Sequence, residues 1–379
     1  RKNDCCAGSQ IIMARRVVIF SLAYLPFVGG AELAVKEITD RLDDEFELVT
    51  VNLDGRQSSV EKIGRVVVYR LGRGWWSKYL FPLLAYHWAV RRHKKHSYDT
   101  VWAIMANQAG LAALLFKWRF PATHFLLTLQ EGDSSWDIWW RTWFIRPLYH
   151  AIYRQADAIQ AISNFLAARA IRLGARRGVT VVPNGVDLKL FAAAGHGYSF
   201  SHSTSRVIVT TSRLVKKNGL RDLIHALKFL PPDVTLDLIG RGPEEEALRR
   251  HARRWRVSER VSFVGELPAR DLPSALGRAK IFARPSLSEG LGSSFLEAMA
   301  FGLPVIATPV GGIPDFLIDG ETGWFVPPRD PRGIADRVRY LLEPANYSKV
   351  ETVIDRARNL VVERYDWDKV APRIGQMLS

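Results

Sequence analysis

Residues 285–331 read PSLSEGLGSSFLEAMAFGLPVIATPVGGIPDFLIDGETGWFVPPRDP. A strand and loop end at Glu289, Gly290 and Gly292 follow, and Ser293 and Ser294 stand where they can cap a helix running from Phe295 to Phe301. Glycine lets backbone approach a bound group closely, and the first turn of a helix offers unpaired N–H groups to an anion such as a diphosphate. Glu297 falls within the first turn and points into the same crevice. Its carboxylate accepts the two hydroxyls of a ribose better than an amide side chain would. Pro304–Ala307 and Gly323–Val326 then read as strands.

Outward from this stretch the chain alternates β-branched runs with amphipathic ones, the pattern of parallel α/β sheets. Arg16–Leu22 is the first strand, followed by Gly29-Gly30 and a helix from Ala31 to about Asp43. Further strands are expected at Phe46–Val51, Val66–Leu71, Thr100–Ala103, His124–Thr128, Ala158–Ala161 and Thr180–Val182. After Pro183-Asn184-Gly185 the small and polar residues 188–205 read as a linker. The pattern restarts at Val207–Thr211, Thr235–Ile239, Val261–Val264 and Ile281–Ala283. The expected division is an N-terminal Rossmann-like domain over 13–187, a second one over 206–363, and a final helix over 364–379 that returns to the first.

Glu289 and Glu297 stand eight positions apart within E-G-L-G-S-S-F-L-E-A-M-A-F-G-L-P-V-I-A-T. In this the chain resembles the large retaining glycosyltransferase family 4, the glycosyl transferases group 1. The resemblance extends from about Val17 to Pro331 and includes Gly29-Gly30-Ala31-Glu32, Val182-Pro183-Asn184-Gly185-Val186-Asp187, Ser212-Arg213-Leu214 and Gly240-Arg241-Gly242-Pro243. It implies an α/β fold of the GT-B type, two Rossmann-like domains facing each other across a cleft. It also implies a UDP- or GDP-sugar donor, retention of anomeric configuration, and no required metal or other cofactor.

By that resemblance Glu289 touches the donor sugar, and Arg213 with a following lysine balances charge on the leaving diphosphate. Gly29, Gly30, Asn218, Gly240, Val264, Gly290, Leu291, Gly292, Ser293, Ser294 and Glu297 line the donor. Two departures stand out. The lysine slot, five positions after the arginine and directly before a glycine, holds Asn218, so the neighbouring Lys217 is expected to carry the charge. The strand end that often carries a histidine reads Thr128-Leu129-Gln130-Glu131, which moves the acceptor-side role to Gln130 or Glu131.

Composition bears on partners. Net charge is +15 over 379 residues, with 53 Lys and Arg against 38 Asp and Glu, and the excess sits mainly before residue 186. Residues 56–98 contain ten basic side chains and one acidic, Glu61. Trp75 and Trp76 lead toward Arg91, Arg92, Lys94 and Lys95, and Trp136, Trp139, Trp140 and Trp143 recur at helical spacing. Aromatics interleaved with cations suit contact with an anionic membrane surface carrying a lipid-linked or glycolipid acceptor. The same residues would serve as a buried aromatic face and a solvated helix end.

The expected setting is therefore cytoplasmic, at the inner face of the membrane. No apolar run reaches spanning length, since Val101–Phe116 is interrupted by Asn107 and Gln108. Two cysteines, Cys5 and Cys6, provide neither a disulfide framework nor a zinc site. Residues 1–12 make a poor signal peptide and are set outside the fold. Two other readings fit the same α/β pattern: a soluble synthase acting on a free sugar or glucan, and a nicotinamide-dependent oxidoreductase. The latter lacks G-x-G-x-x-G after its first strand. No nucleic-acid-binding motif accompanies the charge.

Overall fold

The computed structural model describes residues 14–26, 29–74, 76–133 and 135–379, without the side chains of 135–137 and 141. Two sheets organise the chain. The first contains β1 (Arg16–Phe20), β2 (Glu45–Val51), β3 (Val60–Ile63), β4 (Val66–Leu71), β5 (Thr100–Ile104), β6 (His124–Leu129), β7 (Ala158–Ala161) and β8 (Val179–Val181), in the order β3-β4-β2-β1-β5-β6-β7-β8. All neighbours are parallel except β3 and β4. Val17–Phe20 and Val101–Ala103 are fully buried, as expected for strands covered on both faces.

The second sheet contains β9 (Val207–Thr211), β10 (Thr235–Ile239), β11 (Val261–Gly265), β12 (Ile281–Arg284), β13 (Val305–Ala307) and β14 (Trp324–Phe325), in the order β11-β10-β9-β12-β13-β14. It is parallel throughout. In both sheets the strand order reverses at the centre, between β1 and β5 and between β9 and β12. Such switch points open a crevice at the carboxyl ends of the strands. This is the expected GT-B arrangement of two parallel α/β units.

Three local readings differ. The short antiparallel edge strand β3 was not foreseen, because Val60-Glu61-Lys62-Ile63 is exposed and has no buried alternation to read. Residues read as linker fold in part as the helix Leu188–Gly195, whose first turn is capped by the Asp187 carboxylate accepting the Leu190 N–H at 3.1 Å. The serines do not cap the helix after Glu289; it runs Ser293–Phe301 and its N-cap is Gly292.

The chain end lies against the first sheet. Trp367, Val370, Ala371, Ile374 and Leu378 share a buried cluster with Val17, Ile19, Ala34 and Ile38. The Thr100 hydroxyl donates to the Leu378 carbonyl at 2.5 Å. Where the chain passes between units, the Val186 N–H donates to the Tyr365 carbonyl at 2.6 Å and Val186 bridges Asp366.

Candidate active site

The carboxyl ends of β9 and β12 converge on one crevice. Past β12 the backbone is pinned by the Leu287 N–H donating to the Lys217 carbonyl at 2.6 Å and by the Thr308 hydroxyl donating to the Ser286 carbonyl. These contacts bring Glu289 to the mouth. Its Oε1 accepts the Gly290 N–H at 3.0 Å and its Oε2 accepts Arg284 Nη2 at 2.9 Å. Gly292 lies at φ 89°, a left-handed conformation that suits glycine, and starts the Ser293–Phe301 helix without a side-chain cap. The Phe295 N–H donates to the Gly292 carbonyl at 3.0 Å, and with no side-chain cap among the described residues the Ser293 and Ser294 N–H groups are left for another acceptor, at the positive end of the helix dipole.

Glu297 is half-buried one turn into that helix. Burial raises its pKa to about 7, and Arg284 opposes the rise. The carboxylate therefore titrates near neutrality.

Across the crevice, past β9, Arg213 is exposed. Its carbonyl accepts Asn218 Nδ2 at 2.7 Å. Asn218, foreseen as a donor contact, is thus a buried brace of the arginine's own loop. Lys217 Nζ stands 3.4 Å from Asp133 Oδ1 of the N-terminal unit, so its ammonium spans the cleft. The Gly240 N–H donates to the Gly265 carbonyl at 2.7 Å, joining the ends of β10 and β11 beside the exposed Val264. Gly29 and Gly30 open the helix Gly30–Thr39. In its first turn the Glu32 carboxyl, raised in pKa by burial, feels the charge of Arg213.

The loop after β6 meets the donor-side loop. A Cβ on Gly132 would lie 2.6 Å from the Gly290 nitrogen, so only glycine allows this approach. The Ser288 hydroxyl donates to the Gly132 carbonyl at 2.7 Å. Gln130 Oε1 accepts Asn184 Nδ2 at 3.0 Å, tying the loop to the Pro183-Asn184-Gly185 turn. Glu131 turns inward: its carboxylate accepts the Ala106 N–H at 2.6 Å, and burial raises its pKa.

Two residues missed in the sequence reading organise these loops. Buried Arg169 donates to the carbonyls of Glu131 (3.3 Å) and Asp133 (2.8 Å). Buried Arg284 ties Glu289 to the Ser294 hydroxyl (2.7 Å). The available signal for the second was an arginine closing the apolar run Ile281-Phe282-Ala283.

On the N-terminal unit the helix Ser77–His93 buries Phe81, Pro82, Ala85 and Ala89 and exposes Tyr79, Leu80, Leu83 and Leu84. A groove of about 680 Å³ runs along it from Leu80 past His87 to Arg91 and Lys95. Trp76, Trp139, Trp140 and Trp143 are exposed, between 42% and 68%. The helix carrying the latter tryptophans ends at Thr142, and Trp143 begins a 3-10 turn instead of extending the same face. Arg92, expected at the surface contact, is instead turned toward Glu47 (2.5 Å) in a cluster with Tyr69 and Tyr98, because β2 places that carboxylate beneath it. Trp75 and the side chain of Trp136 lie outside the described residues. Among the described residues no helix is long and apolar enough to cross a membrane, and no group of three or more His, Cys, Asp or Glu is placed to hold a metal ion.

Residues 29–185 match the glycosyl transferase 4-like domain, and residues 199–360 match glycosyl transferases group 1. The chain is 30% identical over 301 residues to the GDP-mannose-dependent alpha-(1-6)-phosphatidylinositol monomannoside mannosyltransferase of Mycolicibacterium smegmatis, covering 75% of this chain and 77% of that protein. It is 26% identical to the monoacylated-substrate counterpart of Corynebacterium glutamicum, over 97% and 98% of the two chains. Among solved structures it resembles sucrose-phosphate synthase from Thermosynechococcus elongatus, with TM-score 0.82 and 22% identity over 96% and 98%. It also resembles Anabaena HepE in complex with UDP and glucose, with TM-score 0.78 and 21% identity over 96% and 99%. With the crevice at the β9–β12 switch point and both halves matched, the chain belongs to the glycosyl transferases group 1, the family 4 type of hexosyltransferase with the GT-B fold.

Proposed function

We propose that this enzyme moves a sugar, with retention of configuration, from a UDP- or GDP-sugar to a lipid-linked or glycolipid acceptor presented at an anionic membrane surface. The setting would be polysaccharide or envelope assembly at the inner face of the cytoplasmic membrane. The carrying observation is the helix Ser77–His93, which exposes leucines along one stripe and ends it in Arg91, Lys94 and Lys95. Such a stripe suits burial at headgroup depth with its cations on the phosphates. The phosphatidylinositol mannoside named for the mycobacterial relative fits the same chemistry.

In this reading Glu297 accepts the donor ribose hydroxyls and Glu289 holds the sugar. Negative charge gathers on the departing nucleoside diphosphate as the glycosidic bond breaks and the sugar becomes oxocarbenium-like. Arg213, Lys217 and the open first turn at Ser293 and Ser294 meet that charge, with no metal needed. Gln130 and the loop it braces face the acceptor side.

The test is a panel of UDP- and GDP-sugars scored by nucleotide release, with anionic vesicles containing glycolipid acceptors and, in parallel, free sugars. Release stimulated by vesicles supports the proposal. Equal turnover on free sugars without vesicles would replace it with a soluble synthase.

A further inference from the structure

A nucleoside diphosphate in this crevice must lie beside two carboxylates, Glu289 and Glu297. Arg213 is exposed on its loop, and Lys217 already faces Asp133. The guanidinium that feels the charge of both glutamates is that of Arg284, at the end of β12. It is held on three sides, by the Thr211 carbonyl at 3.2 Å, the Ser294 hydroxyl at 2.7 Å and Glu289 Oε2 at 2.9 Å. The Phe295 ring lies 4.2 Å from it. A Cβ on Gly292 would fall 2.8 Å from Nη2, so glycine there makes room for the arginine as well as turning the chain.

Stability alone does not account for this placement. A buried cation loses hydration, and at a helix N-terminus it opposes the dipole. Among the described residues its Nε has no hydrogen-bond partner, and the same holds for the buried hydroxyls of Thr210, Ser212 and Ser286 near the ends of β9 and β12. Buried polar groups are ordinarily satisfied, and an unpartnered Nε on a buried guanidinium that already holds Glu289 and Ser294 points to a polar ligand rather than to packing.

We infer that Arg284 is a positioning residue of the donor site: it fixes Glu289 and the first turn of the Ser293–Phe301 helix, and it supplies the counter-charge that lets a diphosphate bind beside two carboxylates. The inference rests on the donor-site reading above. A planar fork meets three acceptors in fixed directions, which a lysine ammonium does not. Charge and fork are therefore separable by substitution.

Arg284→Met removes both, and Arg284→Lys keeps the charge alone. Binding of UDP, GDP, uridine and guanosine is measured by calorimetry, with melting temperature as a check on folding. For Arg284→Met, diphosphate affinity should fall about tenfold or more while nucleoside affinity falls far less, since the diphosphate depends on the counter-charge directly and the ribose only through the ionisation of Glu297. Adding Glu289→Gln to Arg284→Met should recover part of the diphosphate affinity, because one of the two repelling carboxylates is gone. Arg284→Lys should retain diphosphate affinity within a few-fold and lose turnover at unchanged KM, through a loosened Glu289.

Equal losses for diphosphate and nucleoside, or no recovery in the double variant, would make Arg284 a packing residue and overturn the inference. If Arg284→Met does not fold, Arg284→Lys decides: wild-type turnover overturns it. If neither UDP nor GDP binds the wild-type enzyme, the donor-site reading fails first, and the inference with it.

Discussion

The carboxyl ends of β9 and β12 gather a buried guanidinium, two half-buried carboxylates and the Ser294 hydroxyl in one crevice, whereas the helix Ser77–His93 holds its leucines and cations in the open. The first arrangement is enclosed, so each charge there is felt strongly and a displaced group disturbs its neighbours. The second is spread over exposed side chains, each worth little and additive with the others. Donor chemistry should therefore fail steeply at single positions, and acceptor-side chemistry should erode in small steps.

The steepest failure is expected at Lys217. Its ammonium spans the cleft toward Asp133, and Asn218, in the family's lysine slot, is committed to the Arg213 carbonyl. Lys217→Ala should lower kcat by about 10²-fold, the scale for losing a group that stabilises developing charge. Lys216→Ala should change little and Asn218→Ala should fall between, all read from steady-state nucleotide release. A normal Lys217→Ala beside a dead Asn218→Ala would return the role to the asparagine.

Next in size is Glu297→Ala. Losing a charge-assisted contact to the ribose should weaken donor nucleotide binding by about 1.5–3 kcal/mol, seen by calorimetry. Glu289→Gln should instead reduce turnover while nucleotide affinity stays near wild type. Identical behaviour of the two glutamates would erase the distinction between ribose and sugar contacts.

A smaller effect is expected from pH. Burial raises the Glu297 pKa to about 7, so the free enzyme carries a mixture of protonated and ionised forms near neutrality. Only the ionised form accepts both hydroxyls as a carboxylate. Nucleotide affinity should fall as pH drops through 7 and level off above it, and Glu297→Gln should flatten the profile. A wild-type profile as flat as the variant's would remove the carboxylate from ribose binding.

The smallest single effects belong to the exposed face. Arg91→Ala, Lys94→Ala and Lys95→Ala should each weaken binding to anionic vesicles by about 1 kcal/mol, and salt should weaken it further. Co-sedimentation with anionic and neutral vesicles measures this. Equal recovery on neutral vesicles would show that the cations play no part.

The same contrast explains what was legible in the sequence. Donor-site spacing is local: Glu289, Gly292 and Glu297 lie within a single strand–loop–helix passage, so one stretch carries both the turn and its chemistry. Strand positions followed from alternation of apolar runs, because parallel strands buried on both faces leave continuous Val and Ile signatures such as Val17-Val18-Ile19. Arg169 was not legible, since its partners are backbone carbonyls set by tertiary approach, and Arg284 left only the faint signal of a cation closing an apolar run, its pairing with Glu289 depending on the fold of the loop between them. Arg92 was misplaced for a related reason: its partner Glu47 is 45 residues away on β2, and no periodicity reports that pairing. The serines at 293 and 294 show the limit of a local rule, because the helix starts earlier and puts both serines inside it, with Gly292 at the N-cap.

The chain passes between its two units at residues 186–205 and again near 365, and the two passages are fastened together by the Val186–Tyr365 hydrogen bond and the Val186–Asp366 bridge. A single thread would let one unit swivel freely about the other. Two threads tied side by side act as a door hinge, resisting twist and allowing bend about the line through the tie. Opening of the cleft should therefore separate Gly132 from Gly290 and Lys217 from Asp133 together, along one coordinate, with the donor and acceptor faces kept in register on each return.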